Sequence, residues 1–331
     1  MTNAVAVFMD EHSKLQFELE ELTLALLHTR GEVARLQERE QLFSTLLGSV
    51  NAVLWAFDWD AQRVIYVSPA YERVFGRSVA LLLAGYEEWR NSIYPDDLEY
   101  ASTSFAQVLQ RGAVEAREYR ILRGDGQVRW LSDKCFVSRE NPLGQPHVIV
   151  GIAEDITEKK QLEGELHRLA TTDVLTQSAN RRHFFECAER EFAQAREYGS
   201  PLVFLLLDLD DFKQINDRYG HQMGDQVLQR LAYTTTTVLR RGDLFGRIGG
   251  EEFAALFPRC ELALAEQIAE RLQRDARRLS FNQDNTTFGI TLSQGLTSLR
   301  PDDAGLDALY ARADAAMYRA KRQGKNQVVI D

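Results

Sequence analysis

The stretch 247-RIGGEEFAALF-257 sets two glycines and two adjacent glutamates between apolar runs. A buried strand does not accept neighbouring carboxylates, so Glu251 and Glu252 belong at a bend. LFGRI (244–248) and FAALF (253–257) read as short strands, and Gly249–Gly250 permits a tight hairpin turn between them. Such a turn presents both glutamates beside a neighbouring strand. A candidate neighbour lies upstream in 201-PLVFLLLDLDDFKQIND-217. Its run Leu202 to Leu207 suits a central strand buried on both faces, and Asp208, Asp210 and Asp211 crowd the end of that run. One acid at a strand end is ordinarily a turn or a helix cap. Three within four residues point to a hard cation such as Mg²⁺, which takes carboxylate and carbonyl oxygens. If the two segments are adjacent, Asp208 and Glu251 can share that cation.

Working outward, 247-RIGGEEF-253 and 208-DLDDFKQINDRYGHQMGD-225 are joined in order by 172-TDVLTQSANRR-182 and 313-ADAAMYRAKRQGKN-326. Together these resemble the GGDEF family of diguanylate cyclases, over about 160 residues of the chain. The resemblance implies a palm-like α+β domain, similar to nucleotidyl cyclases and polymerases. It implies condensation of two GTP into cyclic di-GMP and two pyrophosphates, with Mg²⁺ or Mn²⁺. Asp208 and Glu251 match the metal carboxylates, and the Leu209 carbonyl is a further oxygen ligand. Glu251 or Glu252 serves to deprotonate the attacking 3′-hydroxyl, and the glycines let the backbone approach the triphosphate. Asn216 and Asp225 match the guanine contacts. A carboxylate accepts from both N1–H and the 2-amino group of guanine, and adenine offers neither, which favours cyclic di-GMP; Asp225 also reads as a helix N-cap. Backbone N–H groups at Asp211, Phe212 and Lys213 would hold the β- and γ-phosphates at a helix start. Lys213 also stands with Glu251 and Glu252 among the expected catalytic residues. Lys321 and Lys325 match the cations that reach the triphosphate, although a solvated helix end has the same composition. Lys325 lacks the planar fork of the arginine often found there.

Arg240 and Asp243 form an RxxD arrangement shortly before the glycines, and Arg271 follows in 269-AERLQRD-275. By resemblance these are the inhibitory product site, with guanidinium groups on phosphate and guanine edges. A surface salt bridge would look the same in sequence. Gln177 and Ser178 stand where the family usually has Gly and Leu, which leaves the local turn open.

The N-terminal half reads differently. Leu15, Leu19, Leu22, Leu26, Val33, Leu36, Phe43 and Leu47 alternate at spacings of four and three, with polar breaks at Thr29 and Glu40. The pattern is that of a parallel coiled coil over 1–47, or of a helix packed on its own domain. Residues 48–157 contain two aromatic, β-branched strands, helical pieces near Tyr71–Phe75 and Leu98–Gln110, and three further strands. RGDGQ (123–127) is a hairpin turn. This order resembles a PAS sensor domain, an antiparallel sheet with helices. Residues 158–172 would be a helical signalling linker and 173–331 the cyclase domain. The PAS ligand is open: a small metabolite, or none. Cys135 lies outside any flavin-binding stretch, and His147, the only histidine in the segment, reads as a surface residue.

The chain has 331 residues, enough for two domains, and a net charge of −10. That charge argues against general nucleic-acid binding, which needs Lys and Arg against phosphates. Cys135, Cys187 and Cys260 form no CxxC pair, so neither a disulfide framework nor a zinc knuckle is expected. The first residues lack a basic segment, and no apolar run reaches the ~18 residues of a membrane helix. The expected protein is a cytoplasmic homodimer, not inserted in a membrane, with GTP as substrate and cyclic di-GMP as product.

Overall fold

The computed structural model describes residues 26–39, 41, 42, 45, 52–140, 146–283 and 286–331. Residues 26–39 are helical (α1), and Leu26, Val33 and Leu36 on it are exposed. The other heptad positions, Leu15, Leu19, Leu22, Phe43 and Leu47, lie outside the described residues. The chain divides into two compact units, Met1–Leu162 and Glu163–Asp331. No helix among the described residues is long and apolar enough to cross a membrane.

The first unit is built on a five-stranded antiparallel sheet. Its strands are β1 (Ala52–Asp58), β2 (Arg63–Val67), β3 (Ala113–Leu122), β4 (Val128–Glu140) and β5 (Pro146–Asp155), in the order β2-β1-β5-β4-β3. Between β2 and β3 run α2 (Ala70–Phe75), α3 (Val79–Ala84), α4 (Glu87–Ser92), α5 (Leu98–Ala106) and α6 (Val108–Arg111). The sequence indicated α2, α5 and α6. It did not indicate α3 and α4, whose six residues each give too few turns for a helical period to stand out. The RGDGQ turn closes through Gly126 at φ 84 and the Gln127 N–H on the Asp125 carboxylate. Cys135 is buried on β4, and burial pushes its thiol up to about 11, so it is no reactive thiolate.

Helix α7 (Thr157–Thr171) spans the division between the units. The second unit holds β6 (Ala179–Asn180), α8 (Arg181–Tyr198), β7 (Leu202–Leu209), α9 (Phe212–Tyr219) and α10 (His221–Val238). There follow β8 (Leu244–Arg247), β9 (Glu252–Pro258), α11 (Leu262–Arg277), β10 (Ser280–Gln283), β11 (Thr286–Gly289), β12 (Leu292–Ser298), α12 (Leu306–Arg322) and β13 (Gln327–Ile330). Six strands form one sheet in the order β13-β12-β7-β9-β8-β6, and β10 and β11 pair separately. All eight residues of β7 are buried, as the run Leu202–Leu207 requires of a central strand. Alternation sorts its side chains. Val203, Leu205, Leu207 and Leu209 pack with α10 and α11, while Leu202, Phe204 and Leu206 pack with α8 and α12. The period of two therefore assigns Asp208 to the α8–α12 face.

Candidate active site

The hairpin predicted around 249–250 forms: β8 and β9 are antiparallel, and the N–H groups of Ile248 and Gly249 both donate to the Glu252 carbonyl, at 2.9 and 3.3 Å. Its physical basis differs from the expected one. Neither glycine has a φ in the left-handed region. What Gly249 supplies is room, since a Cβ there would lie 2.6 Å from Glu252 Oε2. Arg247 holds the turn from below. Its Nε and Nη2 donate to the Gly250 carbonyl at 3.1 and 2.7 Å, and its Nη1 reaches Asp173 at 3.2 Å.

The neighbouring strand is β7, so the two acidic segments are adjacent. Register sets Asp208 opposite Glu252, and the Leu209 N–H donates to the Glu251 carbonyl at 3.3 Å. Asp208 is 4 % exposed. Its carboxyl is raised to about 6, chiefly by burial; Lys321 pulls it down, while Glu251 and then Glu252 push it up. Glu251 thus acts on Asp208 more strongly than its cross-strand partner does. Glu252 also adds to the upward shift of Tyr310 on α12, where burial is the larger cause. Lys321 Nζ lies 2.7 Å from Asp208 Oδ2.

The three aspartates that read as one cluster part company. Asp210 is buried and structural: it accepts from Thr291 Oγ1 (2.7 Å), Ser293 Oγ (2.6 Å) and the Asn326 N–H (3.0 Å). Asp211 is exposed, left-handed at φ 56, and accepts from Lys325 Nζ at 2.7 Å. It precedes α9, whose Gln214 and Ile215 N–H groups donate to its carbonyl. The N–H groups of Phe212 and Lys213 come before the first intrahelical bonds and are the donors of a helix start. Lys321 and Lys325 both come to the acidic end of β7, and each is paired with an aspartate there.

Asn216 and Asp225 lie on the consecutive helices α9 and α10. Asp225 is exposed in the interior of α10, not an N-cap; Gly220 holds that position. Gly224, beside it, was not singled out from the sequence. A Cβ at Gly224 would sit 2.0 Å from Asn216 Oδ1, so any side chain there must push the carboxamide away. Asn216 Oδ1 is buried and has no protein hydrogen-bond partner. A buried amide oxygen left open and an exposed carboxylate are both acceptors, and they suit a ligand edge that carries N–H donors.

Arg240 and Asp243 are tied to each other. Asp243 accepts from Arg240 Nε at 2.9 Å and from its backbone N–H at 3.1 Å, and Arg240 Nη2 donates to the Pro258 carbonyl at 2.7 Å. Arg271, on α11, lies 3.7 Å from Asp275 of the same helix. At the segment that departs from the GGDEF pattern, Gln177 has φ 57, a conformation that favours glycine. The Gln177 side chain closes the turn on the Val174 carbonyl at 2.7 Å. Ser178 is buried and bonds Thr176 Oγ1 at 2.8 Å.

Comparison with known proteins decides the family. The family described as diguanylate cyclase, GGDEF domain, matches residues 170–327, and the PAS fold matches residues 64–153. A diguanylate cyclase of Vibrio cholerae serotype O1 is 32% identical over 268 residues, covering 80% of this chain and 82% of that protein. The chain belongs to the GGDEF family of diguanylate cyclases. Diguanylate cyclase DgcM of Escherichia coli K12 is 39% identical over 181 residues, 54% of this chain and 42% of DgcM. The coiled coil and GGDEF domain of DgcB from Caulobacter crescentus, solved in complex with c-di-GMP, superimposes with a TM-score of 0.51. It has 32% identity and covers 53% of this chain and 93% of that one.

The GGDEF domain's strand end can be tested for a metal. Mg²⁺ is usually bound by one or two carboxylates and completes its shell with phosphate oxygens and water. Asp208 at the end of β7 and Glu251 in the turn before β9 are two carboxylates close enough to act on each other, the number that such a site needs. Among the described residues no group of three or more His, Cys, Asp or Glu is gathered to hold a metal.

Proposed function

We propose that the chain condenses two GTP into cyclic di-GMP at the end of β7. The observation that carries this reading is Asp208, a nearly buried carboxylate raised to about 6 beside two glutamates and a lysine. Asp208, Glu251 and the Leu209 carbonyl would hold Mg²⁺ or Mn²⁺, which when bound would supply positive charge against the phosphates. Asn216 and Asp225 select guanine. The Phe212 and Lys213 N–H groups beside Asp211 cradle the distal phosphates, and Lys213, Lys321 and Lys325 supply cations. Each 3′-hydroxyl oxygen bonds to the α-phosphorus of the GTP on the other protomer as the bond to pyrophosphate breaks. The hydroxyl proton leaves to Glu251 or Glu252.

Two protomers must face each other for two such bonds, so the active species is a cytoplasmic homodimer paired through residues 1–47 and 158–172. The PAS domain (48–157) controls the cyclase domain (173–331) through that pairing. Arg240, Asp243 and Arg271 bind product and inhibit; that the GGDEF domain of DgcB was solved in complex with c-di-GMP supports product binding to a domain of this kind.

Purified protein with GTP and Mg²⁺, resolved by chromatography, tests the reading. Cyclic di-GMP is expected from the wild type and not from Glu251→Ala. Product made equally by Glu251→Ala would sink the metal assignment. Arg240→Ala is expected to keep turnover and to lose inhibition by added cyclic di-GMP.

A further inference from the structure

Three consecutive residues between α12 and β13 have positive φ: Gly324 at 113, Lys325 at 62 and Asn326 at 52. Glycine adopts this region freely and asparagine tolerates it, but lysine does neither. Such a backbone persists only where its surroundings hold it. The Lys325 side chain is exposed, so the hold comes from its neighbours.

Asn326 provides that hold. Its N–H donates to Asp210 Oδ2 at 3.0 Å, and Asp210 is itself fixed by Thr291 and Ser293. Both oxygens of Asn326 turn to α11. The backbone carbonyl accepts from Arg277 Nη2 at 2.9 Å, and Oδ1 accepts from Arg277 Nε at 2.7 Å and from Gln273 Nε2 at 2.6 Å. Gln273 and Arg277 stand four residues apart on α11 and so share a face. The Arg277 fork grips the backbone and the side chain of one residue at once. Gln273 is itself immobilised. It is 4 % exposed, its Nε2 also donates to the Leu292 carbonyl at 2.9 Å, and its Oε1 accepts from Gln294 Nε2 at 2.5 Å. With both amide hydrogens and the amide oxygen engaged, its carboxamide has one orientation.

The loop held in this way carries Lys325, whose Nζ reaches Asp211 Oδ1 at 2.7 Å. Asp211 acts on that ammonium most, and the charges of Asp210 and Asp208 act on it too. We propose that Gln273 and Arg277 are positioning residues for GTP: they lock Asn326, and through it the backbone that aims the Lys325 ammonium at the acidic end of β7. The inference rests on the reading of Lys325 as a cation for the triphosphate. A cation on a fixed backbone meets the phosphates already in place, whereas the same cation on a loosened loop must be ordered on binding. The effect belongs to the phosphates, because the residues assigned to guanine, Asn216 and Asp225, lie on α9 and α10.

Affinity of the full chain, with Mg²⁺, is measured for two ligands: GMP, and a GTP analogue with a methylene group between the α- and β-phosphates. Arg277→Ala, at an exposed position, is expected to weaken the analogue about fivefold and to leave GMP unchanged. Lys325→Ala is expected to weaken the analogue at least as much. On the Lys325→Ala background, Arg277→Ala is expected to add nothing, since it acts only through that lysine. A purely architectural role would weaken both ligands alike and would persist in the double variant. Either of those results overturns the proposal, as does an analogue affinity unchanged by Arg277→Ala while Lys325→Ala weakens it, a result that leaves the triphosphate reading standing. If Lys325→Ala itself leaves the analogue unweakened, the triphosphate reading falls and the proposal with it.

Discussion

At Asp208 a carboxylate sits at the buried end of a strand with two glutamates and one lysine around it. Its folded pKa, about 6, lies above the ordinary 3.8, because burial outweighs the Lys321 ammonium. The folded chain therefore holds this proton more tightly than the unfolded chain. The stability linked to it is present at low pH and is lost as pH rises through about 6. Asp208→Asn removes that cost. The variant without metal is expected to be more stable at pH 7, by about 1–3 kcal/mol, and to make no cyclic di-GMP. Denaturant melts at pH 4 and pH 7 check the sign, since the gain should nearly vanish at pH 4. The position of Asp208 at the end of a buried strand was legible from its place after an apolar run. The division of labour with Asp210 was not, because hydrogen bonds to Thr291, Ser293 and Asn326 come from residues more than eighty positions away. Gly224 was equally hidden: its meaning lies in the approach of the Asn216 carboxamide, a contact between two helices.

Among the elements, the β8–β9 turn and the segment that follows α7 are joined by one side chain. Arg247 donates twice to the Gly250 carbonyl and once to Asp173, two residues beyond the end of α7. Asp173 in turn accepts from the Thr176 N–H and hydroxyl, at 2.9 and 2.7 Å. The segment beyond the helix end and the turn that carries Glu251 are thereby joined by hydrogen bonds. Arg247→Ala is expected to lower kcat about tenfold or more, the loss of charge-assisted bonds worth ~1.5–3 kcal/mol, with KM for GTP little changed. A fall confined to KM would refute this linkage. The elements themselves were largely legible, since β7 is apolar on both faces and the β8–β9 glycines interrupt two apolar runs. Register was not: the sequence suggested that Asp208 and Glu251 share a cation without fixing the pairing, and the ladder sets Asp208 opposite Glu252.

For the whole molecule, turnover on the proposed scheme depends on two chains meeting. Leu26, Val33 and Leu36 are exposed on α1, where a second helix would cover them. Leu26→Lys, Val33→Lys and Leu36→Lys together are expected to raise the dimer dissociation constant at least tenfold and to make specific activity fall on dilution. Sedimentation and assays over a range of protein concentrations check both. An unchanged dimer would place the pairing elsewhere. The Arg240–Asp243 pair has a bearing at this scale. Both carboxylate contacts of Asp243 go to Arg240, and Arg240 also holds Pro258, so the residues assigned to the product already serve as ligands to each other. On the proposed assignment, cyclic di-GMP would compete with a tethered rival that is never diluted. Its apparent affinity would be lowered in proportion to the fraction of time the pair stands open. Feedback of this kind would have a threshold: the cyclase would run unchecked while product is scarce, and the concentration at which it stops would be set by how firmly one arginine grips its own aspartate.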